Sequence, residues 1–206
     1  MPNLEADESE LRYRLSEIVR RTPPLLRVLF VARRLCLPDW LVFSGAVYQP
    51  VLNHLTGRPL DYGIKDYDLA YFEASDLSYE AEDGSRVKAA FDQPLRSMVQ
   101  VRNQARVHLW FEAKFGEPYT PLSCTAEALE RFASATFAVG VRLEPDDRLH
   151  IETPFVSLIY LPCACGLTLV GRRFISPEPL RMYDAAGPKW SLKMGHRSLA
   201  EPPESP

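Results

Sequence analysis

Two aspartates spaced two residues apart have the clearest chemical potential in this chain. Asp66 and Asp68 flank Tyr67 in a stretch rich in aromatic and aliphatic residues. In an extended strand, residues i and i+2 point to the same side, about 6.5–7 Å apart along the chain. Two carboxylates placed in this way can converge on one hard cation such as Mg²⁺, which takes oxygen ligands and keeps substrate phosphates in its shell. The pattern therefore favours a divalent metal site at the start of a strand.

A glycine-containing turn precedes this pair in the sequence. Ser44-Gly45-Ala46 lies between a predicted strand, Trp40 to Ser44, and a predicted helix, Val47 to Leu55. Glycine allows close approach of the backbone at a helix start, where free N–H groups and the helix dipole favour a phosphate. A metal on one strand and a triphosphate at the neighbouring helix end is the geometry of phosphoryl or nucleotidyl transfer. The order of the two motifs supports this interpretation more strongly than either motif alone.

The elements that must position these motifs follow from hydrophobic periodicity and from the places of proline and glycine. Apolar residues at helical spacing predict helices over residues 10–22, 25–36, 47–55, 85–93, 103–115 and 125–134. Aliphatic and aromatic runs predict strands at 40–44, from 67 and at 97–102, and a hairpin formed by 137–143 and 149–151. This order predicts an α/β or α+β domain with a mixed β-sheet flanked by helices.

Length and composition predict one globular domain. The chain has 206 residues, of which 46% are hydrophobic and 25% charged, and these values exclude a collagen, a coiled coil or a disordered body. We expect a disordered N-terminus at 1–9, a single domain over 10–197 and a disordered, proline-rich tail at 198–206. Within the domain we expect a helical pair at 10–37, a core at 38–155 and a C-terminal extension at 156–197.

Charge, cysteine content and the chain start limit the partners and the compartment. The net charge of −3 argues against a general nucleic-acid binder, which carries a basic excess. Four cysteines without a C-x-x-C pair favour reduced thiols. Met1 to Ser9 has no apolar run, and the uncharged stretch Thr153 to Gly171 is interrupted by proline and glycine. We therefore expect a cytoplasmic protein without a membrane partner.

Three blocks of sequence resemble a known family. They are Phe43-Ser44-Gly45-Ala46-Val47, the run from Lys65 to Phe72 (Lys-Asp-Tyr-Asp-Leu-Ala-Tyr-Phe), and the run from Val101 to His108 (Val-Arg-Asn-Gln-Ala-Arg-Val-His). The chain resembles a bacterial nucleotidyltransferase-like family of the DNA polymerase β-like nucleotidyltransferase superfamily. The resemblance extends over about 35–155, and its most specific piece is the Asn-Gln-Ala-Arg-x-His block.

The resemblance implies a nucleotidyltransferase-like fold and a Mg²⁺-dependent reaction, with Mn²⁺ as an alternative ion. A nucleoside monophosphate would pass from an NTP to an unknown acceptor. Asp66 and Asp68 would be the catalytic metal ligands, and Ser44, Gly45 and Ala46 would line the triphosphate. The remaining candidates for nucleotide contact are Lys65, Asn103, Gln104, Arg106 and His108.

Each of these remaining candidates also has a structural interpretation. Asn103 and Gln104 are equally suited to capping the helix that follows them. Arg106 is suited to an ion pair with Asp66 or Asp68, and His108 to a structural hydrogen bond. Lys65 is suited to a solvent-facing position.

Two positions depart from the pattern that the resemblance implies. The family tends to have an acid three residues before Asn-Gln, as the superfamily's third carboxylate, and this chain has Gln100 there. An amide can still bind a metal through its oxygen, but it neither neutralises charge nor acts as a base. Ala46 likewise lacks the hydroxyl often found after the glycine. Two hypotheses follow: an active nucleotidyltransferase, or a catalytically impaired relative that acts as a nucleotide-binding or protein-interaction module.

Overall fold

A computed structural model of the chain describes residues 4–75, 80–132 and 137–154. The described helices are α1 Leu4–Arg20, α2 Pro23–Leu35, α3 Gly45–Leu55, α4 Glu80–Ala89, α5 Leu95–Met98, α6 Val107–Phe115 and α7 Glu127–Glu130, with a 3₁₀ turn at Gln104–Arg106. The described strands are β1 Leu41–Phe43, β2 Tyr67–Tyr71, β3 Val99–Asn103, β4 Gly140–Leu143 and β5 Leu149–Glu152.

The strands form one five-stranded sheet in the order β3-β2-β1-β4-β5. β2 and β3 are parallel, whereas β1 is antiparallel to both β2 and β4, and β4 is antiparallel to β5. The sheet is therefore mixed and flanked by helices, which confirms the fold class predicted from the sequence. Its register places Phe43 opposite Asp68 and Asp68 opposite Gln100, so the ends of β1 and β2 that carry the candidate motifs are neighbours.

The two faces of the sheet pack against different apolar clusters. The larger cluster contains Val42, Tyr67 and Leu69 together with residues of α1, α2 and α3. The smaller cluster contains Leu41, Phe43 and Ala70 together with residues that follow β3. Because successive side chains of a strand alternate between faces, Asp68 shares its face with Ala70, at the margin of the smaller cluster.

Arginines of the N-terminal helices hold the β4–β5 hairpin. The Arg33 guanidinium donates to the Glu144 carbonyl at 2.7 Å and to the Asp147 carboxylate at 2.6 Å. Arg12 donates to the Ile151 carbonyl at 3.0 Å, and Arg20 donates to the Asp147 carbonyl. These hydrogen bonds connect α1 and α2 to the β4–β5 hairpin.

Several element bounds differ from those predicted. α1 begins at Leu4, so residues 4–9, predicted to be disordered, are helical. Ion pairs of Glu8 with Arg12 and of Glu10 with Arg14, four residues apart, favour a helix here over disorder. The predicted helix over 125–134 is the short α7 in the described part, and α5 was not predicted. The predicted extension at 156–197 and tail at 198–206 lie outside the described residues.

Candidate active site

The turn between β1 and α3 has an unusual backbone at Ser44. Its φ of 64° and ψ of −137° lie in a region that favours glycine, and such conformations concentrate at functional sites. The Ser44 carbonyl accepts hydrogen bonds from the N–H groups of Val47 at 2.9 Å and Tyr48 at 3.1 Å, and the Ser44 N–H donates to the Val139 carbonyl at 3.3 Å. The predicted turn residues Gly45 and Ala46 are thus already the first turn of α3.

This helix start has the features of an anion-binding end. Within the described part of the chain, the N–H groups of Gly45 and Ala46 have no hydrogen-bond acceptor, and the Ser44 side chain does not cap the helix. Unpaired N–H groups at a helix start favour a phosphate. The Ala46 side chain is fully buried in the larger cluster. Any contribution of Ala46 to phosphate binding therefore comes from its backbone.

The structure brings Asp66, Asp68 and Gln100 together on one face of the sheet. Asp66 precedes β2, Asp68 lies within β2, and Gln100 lies opposite Asp68 on β3. All three are half-buried. The Gln100 amide donates a hydrogen bond to the Asp66 carboxylate at 3.1 Å. The Gln100 amide therefore contacts one carboxylate of the aspartate pair directly.

The oxygen ligands in this group fit a divalent cation. Two carboxylates and an amide oxygen are the hard donors that Mg²⁺ and Mn²⁺ prefer. Burial raises the pKa of Tyr48, and the negative charges of Asp66 and Asp68 raise it further. Across 4–75, 80–132 and 137–154, no group of three histidine, cysteine or acidic side chains is arranged to hold a metal ion. Any metal site here depends on this pair and on Gln100.

A buried asparagine orders the loop that leads to Asp66. The Asn53 side chain, 1% exposed, donates to the carbonyls of Leu60 at 2.9 Å and Tyr62 at 2.7 Å. Its own oxygen accepts a hydrogen bond from Gln49 at 3.0 Å. Twenty residues lie between Gly45 and Asp66. Asn53 gives that interval a defined path back to the sheet.

Asn103 joins the ends of β2 and β3. Its side-chain oxygen accepts from the N–H groups of Glu73 at 3.0 Å and Ala105 at 3.1 Å, and its amide donates to the Glu73 carbonyl at 2.8 Å. The side chain caps the 3₁₀ turn and is 2% exposed. The structure thus shows the capping interaction that the sequence left as an alternative to nucleotide contact.

Gln104 and His108 carry buried polar atoms without partners. Gln104 is 1% exposed, and neither atom of its amide has a hydrogen bond with any described residue. The buried Nδ1 of His108 also lacks a hydrogen-bond partner there. Arg106 is half-buried at the end of the 3₁₀ turn, and Lys65 is exposed beside Asp66. Buried polar groups are normally paired, so Gln104 stands out from the rest of the core.

The predicted site residues therefore form two groups. Ser44, Gly45, Ala46, Lys65, Asp66, Asp68 and Gln100 lie where the end of β1 meets the starts of β2 and β3. The second group contains Asn103, Gln104, Arg106 and His108. Asn103 is the last residue of β3, about 10 Å along the strand from Gln100, and the other three residues follow it.

Two further residues near the candidate motifs, Tyr48 and Arg102, were not identified from the sequence. Tyr48 lies in the first turn of α3, and Arg102 shares the sheet face of Gln100, two residues further along β3. Arg102 could have been identified because apolar and polar residues alternate along β3, which places Arg102 on the face of Gln100. Tyr48 could have been identified because it lies one helical turn after Ser44.

The fold and the grouped motifs define a nucleotidyltransferase-like protein. A family model described as Nucleotidyltransferase matches residues 31–159, and the chain belongs to this family. This confirms the resemblance seen in the sequence. Among curated proteins, none matches the chain.

A solved structure is similar in fold. It is an NMR structure described as revealing a CCA-adding enzyme head domain, with a TM-score of 0.56 and 20% sequence identity. The match covers 68% of this chain and 70% of that one. At this identity, the similarity supports the fold of the sheet and its helices. Separately, none of the helices in the described ranges is both long and apolar enough to cross a membrane.

Proposed function

We propose that this protein transfers a nucleoside monophosphate from an NTP to an acceptor, using Mg²⁺ or Mn²⁺. One observation carries the proposal: Asp66, Asp68 and Gln100 gather on one sheet face beside the start of α3. A cation-binding group and an anion-binding helix end at one sheet edge match the two charged parts of a metal–triphosphate substrate. Membership of the nucleotidyltransferase family supports an NTP as the substrate class.

Different residues of the candidate site would bind the cation and the triphosphate. Asp66 and Asp68 would hold the cation, with the Gln100 amide oxygen as a further ligand. Bound there, the cation would neutralise charge on the triphosphate and on the leaving group. The N–H groups of Gly45 and Ala46 would hold the triphosphate in place.

Group transfer then needs one bond to form and one to break. An acceptor oxygen attacks the α-phosphorus, the bond from that phosphorus to the bridging oxygen breaks, and pyrophosphate leaves with the bridging oxygen. If the acceptor is a hydroxyl, its proton passes to a carboxylate of the aspartate pair or to solvent, because Gln100 cannot accept it.

The same Gln100 favours a second candidate, a nucleotide-binding module without turnover. Its amide donates a hydrogen bond to Asp66, where a carboxylate would instead add negative charge. With two carboxylates, the group neutralises less cation charge than three would. Nucleotide binding without transfer is the behaviour expected of such a module.

Isothermal titration calorimetry with Mg²⁺ and each NTP tests the binding that both candidates share. We expect Asp66→Asn and Asp68→Asn to weaken NTP binding at least about 10-fold, because each removes a charge from the cation group. Asp92→Asn is the matched control, since Asp92 is an exposed acid outside the group. Equal affinity of the wild type and both site variants would contradict the proposed site.

Transfer of label from α-³²P-NTPs to the components of a cell extract separates the two candidates. Labelled product from the wild type, lost in Asp66→Asn, supports the enzyme. Binding without product in both the wild type and Gln100→Glu supports the module. Product from Gln100→Glu alone would show that the missing carboxylate is what limits the reaction.

A further inference from the structure

The backbone of Ser44 depends on support from its surroundings. Its φ of 64° and ψ of −137° lie in a region that glycine adopts freely and that serine adopts only where the rest of the structure holds it. The Ser44 carbonyl accepts hydrogen bonds from the N–H groups of Val47 and Tyr48. The residue before a helix accepts such bonds in ordinary conformations as well, so they do not account for the positive φ. The support for Ser44 therefore comes from outside α3.

Residues 137–139, which directly precede β4, contact this turn at two points. The Val139 carbonyl accepts a hydrogen bond from the Ser44 N–H at 3.3 Å. The Phe137 ring stacks on the Tyr48 ring, with centroids 4.5 Å apart and planes inclined by 29°. One contact holds the residue before the helix, and the other holds the first turn of the helix. Residues 137–139 thus hold the chain on both sides of the free N–H groups.

The core fixes residues 137–139 without help from the turn. Ala138 is fully buried in the smaller apolar cluster, Val139 packs against the larger one, and β4 pairs with β1 directly afterwards. Within the described ranges, the rings of Tyr48 and Phe137 belong to neither cluster. The stack therefore connects α3 to an anchored segment and is not itself part of the core.

This support bears on anion binding at the start of α3. The φ and ψ of Ser44 set the direction of the peptide group that carries the Gly45 N–H, because each peptide group is planar. Gly45 and Ala46 supply the N–H groups proposed to bind the triphosphate. If Ser44 relaxed to a negative φ, these groups would be redirected, and binding would include the free energy needed to restore the turn.

We propose that Phe137 is a positioning residue for the triphosphate. Its ring, stacked on Tyr48, keeps the backbone of Ser44 in the positive-φ conformation in which the helix start binds an anion. The inference rests on the proposed function and assigns a role to a residue outside the three blocks that resemble the family. The ring acts through Tyr48 and Ser44 and contributes no donor or charge of its own.

A double-mutant cycle between Phe137 and Ser44 tests this role. Calorimetry in Mg²⁺ would measure the affinities for an NTP and for inorganic tripolyphosphate, which share the phosphate chain. We expect Phe137→Leu to weaken binding of both compounds about 10-fold, because binding must then restore a strained turn. In a Ser44→Gly background, the same change should weaken binding about 2-fold or less, since glycine adopts a positive φ without strain. Phe137→Tyr keeps the stacked ring and should restore the affinity.

Phe115→Leu is the matched control for the loss of a ring. Phe115 is a half-buried phenylalanine at the C-terminal end of α6, where its ring packs on Phe111 with centroids 4.7 Å apart. We expect its replacement to leave both affinities unchanged. Tyr48→Leu removes the stack from the other side and repeats the cycle if Phe137→Leu melts too low for calorimetry.

The outcomes separate this inference from the proposed function. Equal affinities of Phe137→Leu and the wild type would overturn the inference and leave the proposed function in place. An equal loss in the Ser44→Gly background would also overturn it, because the ring would then not act through the Ser44 backbone. A loss for the NTP without a loss for tripolyphosphate would overturn it as well, since Phe137 would then contact the base or the sugar. A wild type that binds neither compound would refute the proposed function, and the inference with it.

Discussion

Replacing Asn103 by alanine should lower the free energy of unfolding by about 3 kcal/mol. The side chain makes three hydrogen bonds to backbone groups at 2.8–3.1 Å and is 2% exposed. A typical hydrogen bond contributes about 1 kcal/mol net, and an unpaired buried group costs more. The two N–H groups and the carbonyl left behind lie between the ends of β2 and β3, so the loss falls on the parallel pair that carries the metal candidates.

Urea denaturation followed by tryptophan fluorescence measures this loss. Ser97→Ala is the control, because the Ser97 hydroxyl makes one exposed hydrogen bond to the Pro94 carbonyl and its loss should cost about 0.5 kcal/mol or less. An Asn103→Ala variant as stable as the wild type would refute the structural role. If the same variant also bound nucleotide more weakly, Asn103 would instead be a ligand contact.

Two further predictions concern buried polar groups. Gln104→Met should raise the free energy of unfolding by about 1–2 kcal/mol in urea, because it removes an unpaired buried amide; a decrease would show that the amide is paired. Burial, and secondarily Asp61, raise the pKa of Tyr67 to about 12. Since unfolded tyrosine ionises near 10, stability should be intact below pH 10 and fall by about 2 kcal/mol between pH 10 and 12. Tyr67→Phe should reduce this fall in stability. An equal fall in the wild type and in Tyr67→Phe would contradict the role assigned to Tyr67.

The parts of the fold and site that could be predicted from sequence are those with local signals. The alternation around Asp66 and Asp68 and the glycine after an apolar run each indicate a strand or a helix start within a few residues. The position of Gln100 beside the aspartates followed from the resemblance, and the parallel register of β2 and β3 now gives its geometry.

The rest depends on contacts between distant parts of the chain. The block from Asn103 to His108 begins at the far end of β3, and its distance from the aspartates depends on the direction and length of that strand. The role of Asn53 depends on carbonyls in a loop without periodicity.

The central position of β1 in the sheet affects how the chain folds during its synthesis. β1 has three residues and pairs with β2 on one side and with β4 on the other. Because β4 comes from the later part of the family-matched region, one backbone edge of β1 has no pairing strand in a nascent chain until β4 has left the ribosome. An unpaired strand edge can template pairing between chains. Translation products that stop before Gly140 should therefore self-associate, and a hairpin peptide supplied in trans should suppress it.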